Sequence, residues 1–132
     1  MIERTAACAC ARLTATATGA PTRVSICHCL DCKRRTGSAF ALQATWPEAQ
    51  VCIAGDFREF ERFGDDGGAW VRDGFCAECG VRVFYRIESR PNMISIPVGA
   101  FADPDFPPPT IEVYAERAQG GIGRQLSDAA QQ

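Results

Sequence analysis

A mainly β chain with one short helix is what this sequence predicts, and three observations carry the prediction. From Thr5 to Thr18 small and β-branched residues alternate with a period of two, the repeat of a strand with one face turned to a core. Around Cys76-Ala77-Glu78-Cys79-Gly80, the runs Ala69–Phe75 and Val81–Ile87 give the strand, knuckle, strand layout of a metal-binding hairpin. Only Asp31–Thr36, closed by Gly37, combines helical character with a stop signal.

Taken in order, Thr5–Thr18 reads as one strand that begins at the pair Cys8 and Cys10 and ends at Gly19-Ala20-Pro21. Arg23–Cys27 is a second short strand, which delivers the chain into Cys27-His28-Cys29-Leu30-Asp31-Cys32 and the helical turns that follow. Ala39–Trp46 is a strand ended by Pro47, and Val51–Gly55 is a brief apolar run. Phe57, Phe60 and Phe63 recur every three residues, a spacing compatible with helix or strand. The turn-like Gly55 and Gly64-Asp65-Asp66-Gly67-Gly68 on either side favour a strand. A metal knuckle needs a left-handed residue near its exit, and Gly80 supplies one without steric cost. Met93–Ala100 is a further strand, Asp103–Pro109 an extended connection, Ile111–Tyr114 a last short strand, and Gln125–Gln132 a helical or mobile tail.

The 132 residues fit one metal-binding domain, residues 1–118, followed by a tail over 119–132; no repeat or linker divides them. A formal charge of -2 argues against nucleic acid as a partner, since phosphate recognition needs a basic face. The sequence holds no apolar run long enough to span a bilayer and no apolar signal core, so no membrane partner and a cytoplasmic location are expected. In that reducing setting eight cysteines read as metal ligands or redox groups rather than disulfides. Homo-oligomerisation stays open.

The eight thiols fall into groups of two, three, one and two: Cys8 and Cys10; Cys27, Cys29 and Cys32; Cys52; Cys76 and Cys79. Two cysteines two apart in a strand leave the same face about 6.6 Å apart, so Cys8 and Cys10 can supply half of a tetrahedral zinc site. Cys76 and Cys79 supply the other half, and this four-thiolate zinc reads as structural. Cys27, Cys29 and Cys32 then form a three-ligand group. Structural zinc sites are closed by four protein ligands, whereas catalytic sites keep one position for water or substrate, so three is an informative count. Cys52 reads first as a small buried hydrophobe and second as a fourth ligand. His28, between two ligands, reads first as a packing residue and second as a ligand or proton-transfer group.

A zinc bound by three thiolates carries a formal charge of about -1, a weak activator of water and a good host for a soft fourth ligand. A small thiol is therefore the expected substrate. Lys33, Arg34 and Arg35 offset the negative centre and can hold carboxylates of an acidic thiol compound; they equally read as a solvated helix face or as compensation of the helix C-terminus.

Cys8-Ala9-Cys10, then Cys27-His28-Cys29-Leu30-Asp31-Cys32-Lys33-Arg34 with Gly37-Ser38-Ala39-Phe40, then Phe75-Cys76-Ala77-Glu78-Cys79-Gly80 with Phe84-Tyr85, resemble the GFA domain family. That family is named for the glutathione-dependent formaldehyde-activating enzyme and is also found in centromere protein V; the match runs from residue 8 to about 117. The resemblance implies a β-tent fold built from antiparallel sheets around a structural zinc. It implies two zincs per chain, one matching Cys8, Cys10, Cys76 and Cys79 and a second, partly occupied in some cases, matching Cys27, Cys29 and Cys32. It further implies a carbon-sulfur lyase-type activity in which glutathione and formaldehyde form S-hydroxymethylglutathione. The open zinc would then do the chemistry, with Lys33 or His28 as proton donor and Arg34, Arg35 and Ser38 as substrate contacts. The chain departs from the family in two places. It has Ala11 where Gly commonly follows the first C-x-C, and Ile111–Gly120 lacks the His and Trp often found there.

Two functional readings follow from this. The first is a zinc-dependent enzyme acting on a thiol adduct. The alternative is a non-catalytic zinc module, or a glutathione or thiol carrier, with both metal sites structural.

Overall fold

The computed structural model describes residues 1–122; the expected tail Gln125–Gln132 lies outside the described residues. Among the described residues ten strands form two sheets, with one α-helix, α1, over Leu30–Thr36. The smaller sheet has the order β1-β2-β5, from Glu3–Ala7, Thr14–Thr18 and Val51–Ala54. The larger has the order β10-β3-β4-β9-β8-β7-β6. Its strands are β3 (Arg23–Cys27), β4 (Ala41–Pro47), β6 (Phe57–Phe63), β7 (Trp70–Cys76), β8 (Arg82–Ile87), β9 (Met93–Pro97) and β10 (Ile111–Val113). Every pairing is antiparallel except β10 on β3.

The alternation at the N-terminus works as expected on its inward face: Ala6, Ala15 and Ala17 are fully buried while Thr14, Thr16 and Thr18 stay half-exposed. Small inward side chains let this sheet lie close on Trp46, Ile94, Ile96 and Val83 of the larger one. Trp46 donates its ring N–H to the Gly19 carbonyl at 3.0 Å, which satisfies the one polar atom of the largest core side chain.

The expected single strand over Thr5–Thr18 is instead a hairpin, with β1 and β2 paired from Glu3↔Thr18 to Ala7↔Thr14. Cys8–Leu13 forms its turn, so Cys8 and Cys10 sit in a loop rather than in a strand. The Cys-Ala-Cys-Ala run imitates strand periodicity, but Ala11 at φ +65° turns the chain back. Met93–Ala100 is likewise cut at Pro97, after which Val98–Phe101 winds into a 3-10 turn. Phe57–Phe63 is a strand, as the glycines around it favoured, and Gly37 ends α1 at φ +63°.

Candidate metal centres and the cavity beside them

Two sulfur clusters form where sequence-distant turns meet. Cys8 and Cys10 come from the β1–β2 turn, Cys76 ends β7 and Cys79 lies in the β7–β8 turn; their four Sγ atoms lie within 4.8 Å of one another. The Cys8–Cys10 and Cys10–Cys76 sulfurs are each 3.6 Å apart. That is far beyond a disulfide bond and close to the spacing of about 3.8 Å that thiolates about 2.3 Å from one tetrahedral zinc would have. Backbone N–H groups converge on the same sulfurs: Leu13 donates to Cys8 at 3.3 Å, and Glu78 and Cys79 donate to Cys76 at 3.4 and 3.5 Å. Donors of this kind stabilise thiolates, and those of Val81 and Cys10 pull the Cys79 thiol down to about 6. Four sulfurs so placed can hold a metal ion, and they stitch the smaller sheet to the larger.

Cys27 ends β3, Cys29 caps α1 and Cys32 lies in its first turn; these three sulfurs also lie within 4.8 Å of one another. The Cys29 sulfur accepts the Cys32 N–H at 3.2 Å, so the thiol loop and the helix start are one motif. A hydrogen bond from the Cys32 thiol pulls Cys27 down, while the same bond, together with burial, pushes Cys32 up. A cation would substitute for the proton these sulfurs share, so this donor set also fits a metal. Among the described residues no other Cys, His, Asp or Glu completes the group. Cys52 is exposed on β5, opposite Thr16 in the smaller sheet, which corrects its reading as a buried hydrophobe. The cause is its position on an edge strand, where Val51 and Ile53 take the inward face.

His28 is buried and turned toward Glu112, with Nε2 2.5 Å from Oε1 and its ring 5.9 Å from that of Phe40. It anchors β10 to the thiol loop, as does its N–H, bonded to the Val113 carbonyl at 3.1 Å.

The three cysteines open onto a cavity of ≈ 370 Å³ whose walls include Arg23, Arg35, Arg62, Arg90, Tyr85 and Tyr114. Tyr114 packs on Cys27 and Cys29 with a left-handed backbone at φ +54°, strained for an aromatic residue. Its hydroxyl donates to Asp66 at 2.5 Å, and that bond pushes the phenol up to about 12. Arg62 joins the helix to the sheet by pairing with Asp31 and, at 2.8 Å, with Asp73, which also binds Arg82 at 2.7 Å. Burial alone would raise the Asp73 carboxyl, but the two guanidiniums hold it below its ordinary value.

The cationic run after Cys32 divides. Lys33 Nζ donates to the Arg117 carbonyl at 2.6 Å and to Gln119 Oε1 at 3.1 Å, which ties α1 to the chain beyond β10 rather than to the cavity. Arg34 is exposed beside Asp65 and Arg117 in a separate depression. Ser38 lines another cavity, of ≈ 810 Å³, with Phe60 and Arg82. Arg35 alone of the four expected cationic or hydroxyl contacts reaches the thiol cavity. Arg62 and Arg90 were not singled out in the sequence because each stands far from any cysteine motif; Arg23 was passed over although it shares the period-two face of Cys27 on β3, a signal that could have found it.

A family profile described as "Glutathione-dependent formaldehyde-activating enzyme" matches residues 3–117. Three solved chains match the fold; one is a Rhodobacter sphaeroides protein determined as a structural-genomics target, 20% identical, with a TM-score of 0.55 over 73% of this chain and 85% of that one. No curated protein sequence matches.

Proposed function

Because the chain belongs to the glutathione-dependent formaldehyde-activating enzyme family, we propose that it is a zinc-dependent carbon-sulfur lyase-type enzyme joining the glutathione thiol to formaldehyde. One observation carries the reading. The Cys8, Cys10, Cys76 and Cys79 group has four protein donors, whereas the Cys27, Cys29 and Cys32 group has three and faces a cavity. Four donors suit a structural zinc and three suit a zinc with one exchangeable position. When bound to three thiolates, zinc accepts a soft fourth ligand and favours the thiolate form of an incoming thiol.

The chain's own residues do the rest. In the net reaction a bond forms between sulfur and the formaldehyde carbon, and the thiol proton ends on the oxygen. The Ser25 hydroxyl, which accepts from Gln43 Nε2 at 3.2 Å and keeps its own proton free, is a cavity group able to hold that oxygen. Lys33, engaged with Arg117 and Gln119, is not needed as the donor. Tyr114 and Tyr85 narrow the cavity and limit water around the reacting thiol.

The test is direct. Zinc-loaded protein should contain two zincs, one removed by a mild chelator with the fold intact, and should speed S-hydroxymethylglutathione formation above its spontaneous rate. Cys32→Ser should lose both the labile zinc and the rate. Loaded protein that gives only the spontaneous rate would overturn the enzymatic reading in favour of a carrier or binding module.

A further inference from the structure

Half of the arginines among the described residues are paired with acids. Arg12, Arg62, Arg72, Arg82, Arg86 and Arg117 each lie within 4.0 Å of a carboxylate oxygen. Three of the unpaired ones gather in one place, while Arg4, Arg34 and Arg58 lie elsewhere. Among the described residues no carboxylate pairs with Arg23, Arg35 or Arg90, and all three line the thiol cavity. The Nε atoms of Arg23 and Arg35 are buried without a partner. The acids on the same walls are already engaged, Asp31 with Arg62 and Asp66 with Tyr114 and Arg117. A cleft holding unpaired guanidiniums is unfavourable until an anion enters it.

The placement also has a direction. Arg35 follows Cys32 on α1 and lines the cavity beside the three cysteines, so part of its charge faces the sulfur cluster. Arg23 has no such partner; burial and the neighbouring Arg90 both make its charge less favourable. Along β3, Arg23, Ser25 and Cys27 fall on one face, because side chains two apart share a face, and all three line the cavity. Four residues of extended strand span about 13 Å, so sulfur chemistry sits at one end of the cavity and the Arg23–Arg90 pair at the other.

We infer that Arg23 and Arg90, assisted by Arg35, bind a carboxylate carried by the thiol substrate, and so select peptide-sized thiol carboxylates over neutral or very short thiols. This rests on the reading of the cavity as a thiol site, and it adds which part of the substrate is recognised and by which residues. Guanidinium groups suit this task because they present paired N–H donors to a planar carboxylate. The pair determines specificity; the reacting atoms lie at the cysteine end.

The test is calorimetric titration of the zinc-loaded full chain with four probes: glutathione, its diethyl ester, S-methylglutathione and inorganic phosphate. Glutathione should bind roughly tenfold or more tighter than the ester, and Arg23→Gln or Arg90→Gln should each weaken glutathione by roughly tenfold while leaving the ester unchanged. Circular dichroism and zinc content identical to the parent would show that each variant is folded. Equal binding of acid and ester, or a preference that survives both substitutions, would overturn the inference. Phosphate binding that depends on the arginines, with no such dependence for glutathione, would also overturn it by assigning the pair to a free anion. Arginine-dependent binding of S-methylglutathione as tight as glutathione would uphold the carboxylate site while refuting the open thiol position.

Discussion

Ala11 adopts φ +65° in the turn that carries Cys8 and Cys10, a conformation that costs an L-residue roughly 1 kcal/mol and glycine almost nothing. Ala11→Gly should therefore raise the unfolding free energy, read as a higher denaturant midpoint of the metal-loaded protein, by about 1 kcal/mol at most, because glycine gives back part of the gain as unfolded-state entropy. Asp73 argues the opposite way. It is buried and holds two guanidiniums, from Arg62 and Arg82, and Asp73→Asn would leave them short of a counter-charge. A loss on the order of 3 kcal/mol in urea unfolding is expected, the usual cost of breaking a buried pair from one side. At this scale the cysteines were legible in the sequence because short ligand spacings are local. Arg62 and Arg90 were not, since the order of the strands brings them there, whereas Arg23 shares a strand face with Cys27 and could have been found.

Among elements, the β6–β7 hairpin does more than reverse the chain. Its Asp65 accepts the N–H groups of Leu30 and Asp31, both at 2.8 Å, and so caps α1 from another part of the molecule; Arg117 holds the same carboxylate at 2.5 Å. Asp65→Ala should accelerate hydrogen exchange at the Leu30 and Asp31 amides and speed metal loss from the three-cysteine group, with a stability cost of about 1–2 kcal/mol. The Gly64–Gly68 stretch reads in sequence as a turn and is one, yet nothing in it announces that Asp65 serves a helix 34 residues away. Further along the hairpin's second strand, Gly74 faces the Phe84 ring, and a Cβ there would come within 2.3 Å of it. Gly74→Ala should destabilise by about 1–3 kcal/mol, since the buried Phe84 ring has little room to shift, and thermal unfolding will read the loss.

In the whole molecule the two sulfur clusters hold different things. Cys8 and Cys10 come from the turn of the smaller sheet and Cys76 and Cys79 from the β7–β8 corner of the larger, so a metal held by them would bridge the layers. Cys27, Cys29 and Cys32 belong to a single strand-to-helix corner. Cys76→Ser should leave the chain unfolded by circular dichroism, because a four-thiolate zinc contributes on the order of 10 kcal/mol and a domain's net stability is of that size. Cys32→Ser should leave the spectrum unchanged. The mainly β class and the grouping of thiols were legible in the sequence. The division into two sheets was not, because the alternation of β1 and β2 runs on through their turn, and an alternating pattern does not say which strands will pair.

One pairing has a consequence for biosynthesis. β10 lies parallel on β3, and Tyr114 follows it directly against Cys27 and Cys29. During translation all four bridging cysteines have been made once Cys79 is added, whereas the wall beside the three-cysteine corner waits for residues 111–114. A nascent chain thus completes the sulfur group that joins its sheets before it can enclose the three-cysteine corner, and the cavity wall at Tyr114 is laid down last.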